Sequence, residues 1–242
     1  MPGAIVQAAY AADSSGSTTV SITLNGCVAG NLIAVSFSAG DDGSSTVSSV
    51  SDGTAYTADA AGKVRNTTEA IGSWSYYLPN ISSGTHTITV TFGASLSFRL
   101  IRAAEISGCA TSSVEDKAAA NGNTTGTGTD AISSGATATT TNANDFVIGW
   151  THNCSQLDPG SGTLSAGTGY TISGTNVMVG LESKSVSATG AQTATFTQSV
   201  NNQRTAHVIA FKEAAAGGDP EGQLVGGKLV GGGLLLRGVL KG

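Results

Sequence analysis

The chain is 242 residues long, carries a formal net charge of −5, and has only 11% charged residues. Ser and Thr make up a quarter of it, glycine contributes 34 residues, and Glu, Lys, Gln, Arg and Met are few. These numbers exclude a helical bundle and a nucleic-acid binder working through a basic patch. With no run of about 18 apolar residues, they also exclude a membrane-spanning helix.

In chain order, Met1-Pro2-Gly3-Ala4 shows no basic and apolar leader pattern, so no secretory signal is expected. Val20, Ile22 and Leu24 alternate with polar residues, the period of a half-buried strand. Leu32 to Val35 is continuously apolar, as a strand covered on both faces should be. Asp41-Asp42-Gly43 and Ser51-Asp52-Gly53 read as turns. Trp74-Ser75-Tyr76-Tyr77 puts Trp74 and Tyr76 on one face and Tyr77 on the other. After Pro79-Asn80 and Ser83-Gly84, the run Thr85 to Phe92 directs Ile88, Val90 and Phe92 inward and its threonines outward. Ala118 to Thr141, rich in Gly, Thr, Ala and Asn, reads as a long linker. Phe146 to Ile148 is a second continuously apolar strand, and Asp158-Pro159-Gly160 another turn.

Three segments recur in order. Asn31 to Phe37 resembles Asn144 to Trp150, Gly53 to Thr57 resembles Gly167 to Thr171, and Gly84-x-x-Thr87 resembles Gly190-x-x-Thr193. The expected fold is therefore an all-β antiparallel sandwich or jelly roll over residues 1–213, with related halves at about 20–108 and 140–213. Residues 214–220 are a second linker.

The last segment, 221–242, differs from the body. It holds nine large aliphatic residues: Leu224, Val225, Leu229, Val230, Leu234, Leu235, Leu236, Val239 and Leu240. From Gln223 onward it has three basic residues and no acid. Burying one such side chain yields about 1.5–3 kcal/mol, but ordering every residue costs about 1–2 kcal/mol, most for glycine. Such a tail gains structure against a surface already built, and strand addition to a partner's sheet edge is the mode that supplies its main-chain hydrogen bonds. The nine aliphatics are the expected partner-docking residues. A last strand pair on its own domain and a membrane-active segment are the alternatives.

No motif for catalysis, a cofactor or a metal emerges. His86 and His207 lie in strand-like runs, and His152-x-Cys154 lacks further ligands at zinc spacing. No G-x-S-x-G elbow occurs, and Asp41-Asp42-Gly43 lacks the EF-hand spacing. Cys27, Cys109 and Cys154 are odd in number and read as free thiols. The four Asn-x-Ser/Thr matches, at Asn66, Asn80, Asn123 and Asn153, then read as chance products of a Ser/Thr-rich chain. One face of the run Trp74 to Tyr77 fills the core, and the Trp74/Tyr76 pair, or else Tyr77, is the candidate glycan-stacking platform.

A Ser/Thr/Gly-rich, cysteine-poor β chain with no visible signal and an apolar Gly-rich end resembles the virion structural proteins of tailed bacteriophages. Head decoration (cement) proteins and fibre proteins are the relevant kinds. The stretch Trp74 to Asn80 followed by Ser83 to Phe92 resembles repeats in such proteins and in bacterial surface proteins. The resemblance implies a non-enzymatic protein displayed symmetrically on a virion and made in the host cytoplasm. It would contact capsid or tail subunits, form a homo-oligomer, often a trimer, and could bind a host-surface glycan. A bacterial surface adhesin or carbohydrate-binding module is the alternative expectation.

Overall fold

Alternating small polar and aliphatic residues set the strands. In the first half of the chain these are β1 (Ala4–Asp13), β2 (Ser17–Cys27), β3 (Leu32–Gly40), β4 (Val47–Ser51), β5 (Thr57–Ala58), β6 (Val64–Asn66), β7 (Ile71–Leu78), β8 (Gly84–Leu96) and β9 (Arg99–Ser107). The second half has β10 (Glu115–Gly126), β11 (Ile132–Ser133), β12 (Asp145–Asn153), β13 (Leu164–Ala166), β14 (Thr171–Ile172), β15 (Val179–Val186), β16 (Thr195–Gln198) and β17 (Asn202–Lys212). The computed structural model describes residues 2–126, 132–154, 162–174, 178–200, 202–215, 223–225 and 228–230, and there is no helix among them.

The pairing is nested. β1 pairs with β9, β2 with β8 and β3 with β7, all antiparallel. The chain thus doubles back on itself as one long hairpin that wraps into two facing sheets, β1-β9-β3-β7-β5 and β2-β8-β4. This is the jelly-roll arrangement. The second half repeats it. β10 pairs with β17, β11 with β16 and β12 with β15, giving the sheets β10-β17-β12-β15-β14 and β11-β16-β13.

Four layers result, with three cores between them. Val20, Ile22 and Leu24 of β2 and Ile88, Val90 and Phe92 of β8 meet Ile33, Val35 and Phe37 of β3 inside the first roll. Ile132, Phe196, Val147 and Val208 fill the second roll. Between the rolls, Leu32 and Ala34 of β3 and Ala104 and Ile106 of β9 pack on Phe146, Ile148 and Trp150 of β12 and Ile209 and Phe211 of β17. β3 and β12 are therefore covered on both faces, which is why both are continuously apolar.

Two expectations are corrected. Residues 118–141 are not a linker throughout. Glu115–Gly126 is strand β10, which pairs with β17 through two register shifts, and Ile132–Ser133 is β11. The rolls accordingly run over Ala4–Ser107 and Glu115–Lys212 rather than 20–108 and 140–213. Ala, Asn and Gly carry little alternation signal, and β10 is held by its partner's ladder rather than by its own side chains. The segment match of Asn31–Phe37 to Asn144–Trp150 is also one residue out of register. Ile33, Val35 and Phe37 face their own roll's core, whereas Phe146, Ile148 and Trp150 face the other roll. A slip of one residue exchanges the faces of a strand.

Beyond the rolls, β18 (Gln223–Val225) pairs with β19 (Lys228–Val230), with Leu224 opposite Leu229. Among the described residues this hairpin is a sheet of its own, paired with no strand of the body.

Candidate functional site

Among the described residues, three places carry polar or aromatic groups in an arrangement that could bind or react. The first is the aromatic run on β7. Trp74 is 5% exposed and its ring stacks on Phe37, with centroids 5.6 Å apart and planes at 18°. Tyr76 stacks on Phe37 as well, at 5.7 Å. Lys63 Nζ sits 5.5 Å from the centroid of the Trp74 ring. Trp74 and Tyr76 thus belong to the core of the first roll and form one wall of a cavity of about 300 Å³ with Lys63, Val47 and Thr46. They do not lie open on a strand face as a sugar platform would. Alternation paired them correctly but could not say which face of a doubly covered strand is free. Tyr77, on the opposite face, meets Phe211 edge-on at 5.4 Å between the rolls.

The second is a groove of about 460 Å³ at one end of the first roll, between the β3–β4 connection and the turn joining β8 to β9. Asp41, buried behind the near wall, shapes it. Its Oδ1 accepts the N–H groups of Gly43 (2.9 Å) and Ser45 (3.2 Å), and its Oδ2 pairs with Lys63 at 2.8 Å. Asp41-Asp42-Gly43 is therefore a turn closed by its own carboxylate and a lysine. The far wall is the Ser97-Phe98 turn, fixed by a 2.8 Å hydrogen bond from Gly40 N–H to Ser97 O. Phe98 holds φ at +54°, is 38% exposed, and lines the groove with Leu96, Asp42, Ser44 and Ser95. Sequence reasoning missed this groove, because its walls come from segments more than 40 residues apart. The only local signal was a bulky aromatic in a tight connection.

The third is a polar seam between the rolls. Ser36 Oγ donates to the Trp74 carbonyl at 3.0 Å, so the 2.7 Å contact with His152 requires His152 Nε2–H to donate to Ser36. His152 Nδ1 is then a bare acceptor without a partner. Burial, with the neighbouring His207 and Arg204, holds the His152 pKa well below its usual value. His207 Nε2 lies 2.8 Å from Ser73 Oγ, and His207 Nδ1 lies 3.8 Å from Asp59 Oδ2. Serine, histidine and aspartate thus stand in relay order, but all three are buried and none lines either cavity. Nucleophilic chemistry needs a substrate within hydrogen-bond reach; in this seam each histidine has its Nε2 on a serine hydroxyl and its Nδ1 without a hydrogen bond. His86, the third, bonds to Asp52 and to the Ser82 carbonyl.

Cys27, Cys109 and Cys154 are free and buried, and burial raises the thiols of Cys109 and Cys154 to about 12. Thiols held so far above neutrality are poor nucleophiles. Among the described residues no group of three or more His, Cys, Asp or Glu is placed to hold a metal. Of the expected docking residues, Leu224 and Val225 lie on β18, and Leu229 and Val230 on β19. Leu234, Leu235, Leu236, Val239 and Leu240 lie outside the described residues. No family model matches the chain, and comparison with curated proteins and with solved structures finds no match.

Proposed function

We propose that the chain is a non-enzymatic structural protein of a phage virion, of the head decoration or fibre kind, which docks on capsid or tail subunits through its C-terminal tail. The observation that supports this reading is the hairpin β18–β19, which among the described residues pairs with no sheet of the body. A lone two-stranded hairpin is marginal in water, and one made of Leu and Val gains most by joining another chain's edge. Jelly rolls occur both in viral capsid subunits and in lectins. That is an analogy of fold.

The test is mass spectrometry of purified particles, with the full chain and with a chain lacking 221–242. The full chain should be present, and its ratio to the capsid protein separates decoration from fibre. The truncated chain should melt at the same temperature but be lost from the particles. A full chain absent from the particles overturns the virion reading. A truncated chain that remains on them overturns the role of the tail. The second reading, an adhesin or carbohydrate-binding module, is favoured by one observation, the groove beside Phe98.

A further inference from the structure

We propose that the groove between the β3–β4 connection and the Ser97-Phe98 turn binds a neutral mono- or disaccharide, stacked on the ring of Phe98. This goes beyond tail docking and does not depend on it.

The first argument is conformational. Side chains other than glycine avoid positive φ, and a bulky one there is an outlier. The other such residues among those described are Ala70, Asn80 and Ser113, all small or polar. Among the described residues Phe98 is the single large aromatic at positive φ and the only aromatic among the exposed large hydrophobics. Its ring is not needed to fill a core, since it belongs to none of the three clusters. A strained backbone kept at a cleft with an exposed ring points to use of the ring.

The second argument is the chemistry of the walls. Apolar surface comes from Phe98, Leu96 and Ala94, and hydroxyl groups from Ser44, Ser95 and Ser97. Asp42 spends only Oδ1 locally, accepting Ser44 N–H at 2.9 Å and Ser44 O–H at 2.6 Å, which leaves Oδ2 for a ligand hydroxyl. A ring face for C–H stacking next to a carboxylate and hydroxyls suits a sugar, which is apolar on one side and hydroxylated at its edge. The volume of 460 Å³ falls in the range of small-molecule sites, about 300–1,000 Å³.

The third argument is charge. Asp42 carries the only charge on the groove wall. The nearby Lys63 is turned away onto Asp41 and the carbonyl of Ser45. Arg65, whose charge also acts on Asp42, is held by the Asp41 carbonyl through Nε and does not line the groove. An anionic sugar or a nucleotide would meet the Asp42 carboxylate with no cation on the wall, so the ligand is neutral.

The experiment presents the full chain to a printed array of neutral hexose and N-acetylhexosamine oligosaccharides together with sialylated and sulfated ones. The best neutral responder is then titrated by NMR against the wild type, Phe98→Gly and Asp42→Asn. Phe98→Gly removes the ring and relieves the positive φ, so it should melt at or above the wild-type temperature while losing at least tenfold in affinity. Asp42→Asn should weaken binding several-fold, with the fold intact. Three outcomes each overturn the proposal: no neutral glycan bound by the wild type, binding of anionic glycans alone, or Phe98→Gly binding as well as the wild type. None of them bears on whether the tail docks on particles.

Discussion

His152 shows how a single residue's surroundings set a property of the whole chain. Its imidazole is fully buried between the rolls, with Ser36 accepting its one proton and Nδ1 unpartnered. The folded state therefore refuses a second proton that the unfolded chain accepts near pH 6.5. A histidine whose folded pKa is lowered contributes stability that is complete above the unfolded pKa and is lost as the pH falls below it. Other groups, Glu115 and Asp145 among them, work in the opposite sense. Burial raises Glu182 to about 7, and His86, although burial lowers it, is raised by its bonds to Asp52 and the Ser82 carbonyl together with the charges of Asp52 and Glu105. The stability of the wild type against pH is thus a sum of opposing slopes. The signature of His152 is the difference between the wild type and His152→Gln in urea unfolding. That difference should shrink by at least half between pH 7.5 and pH 5, with the wild type losing its advantage as it is acidified. A constant difference would show that His152 is not neutral in the fold. In the sequence, His152 was visible only as one member of His-x-Cys. Its serine partner lies 116 positions away, so nothing local could reveal it.

At the scale of the strand, the all-β class was legible because Thr-faced alternation is local. Residues 85–92 and 20–24 carry it in full, and both strands bury the residues that the alternation selects. What was not legible is what depends on a partner. Strand β10 looked like a linker because Ala118, Ala119, Ala120 and Gly122 supply no pattern, yet β17 pairs with it along its length. Gly122 explains part of the composition. β10 passes so near β6 of the other roll that a Cβ on residue 122 would lie 2.1 Å from the Arg65 carbonyl oxygen. Backbone cannot yield as a flexible side chain can, so Gly122→Ala should cost about 1–3 kcal/mol. Gly135→Ala serves as a comparison. Gly135 has no atom near its would-be Cβ but sits at φ +73°, so that variant carries backbone strain without a clash. Thermal unfolding of the two variants checks this. A neutral Gly122→Ala would show that β10 does not press on the β6 backbone. Register was the other illegible property. The match between Asn31–Phe37 and Asn144–Trp150 is a match of apolar character, and in strands covered on both faces that character does not distinguish one face from the other.

For the whole molecule, the central question is whether two jelly rolls make one folding unit. Each has a core of its own, so each could fold alone by that criterion. Against independence stands the third core. It places Trp150, which is fully buried, with Phe146, Ile148 and Phe211 against Leu32, Ala34 and Ile106. Polar ties cross the same boundary. Arg102 donates to the Val179 carbonyl at 2.6 Å, Ala60 N–H to Glu115 Oε1 at 3.0 Å, and Asn66 Nδ2 to Gln203 Oε1 at 3.2 Å. A large apolar interface with satisfied polar ties couples domains, whereas a small polar one lets them move. The chain has only two tryptophans, and they fall on informative sites: Trp74 in the core of the first roll and Trp150 between the rolls. The wild type should therefore unfold in one transition, seen alike by fluorescence and by circular dichroism. Trp150→Ala empties the centre of the shared core at a cost of about 3–5 kcal/mol, and it leaves Trp74 as the sole indole, reporting on the first roll alone. If the shared core is the coupler, the Trp74 signal in this variant will part from the circular dichroism, which follows both rolls. Coincident transitions at a lower midpoint would instead place the coupling in the polar ties. Two separate transitions already in the wild type would mean that the rolls are joined as neighbours and not as one body.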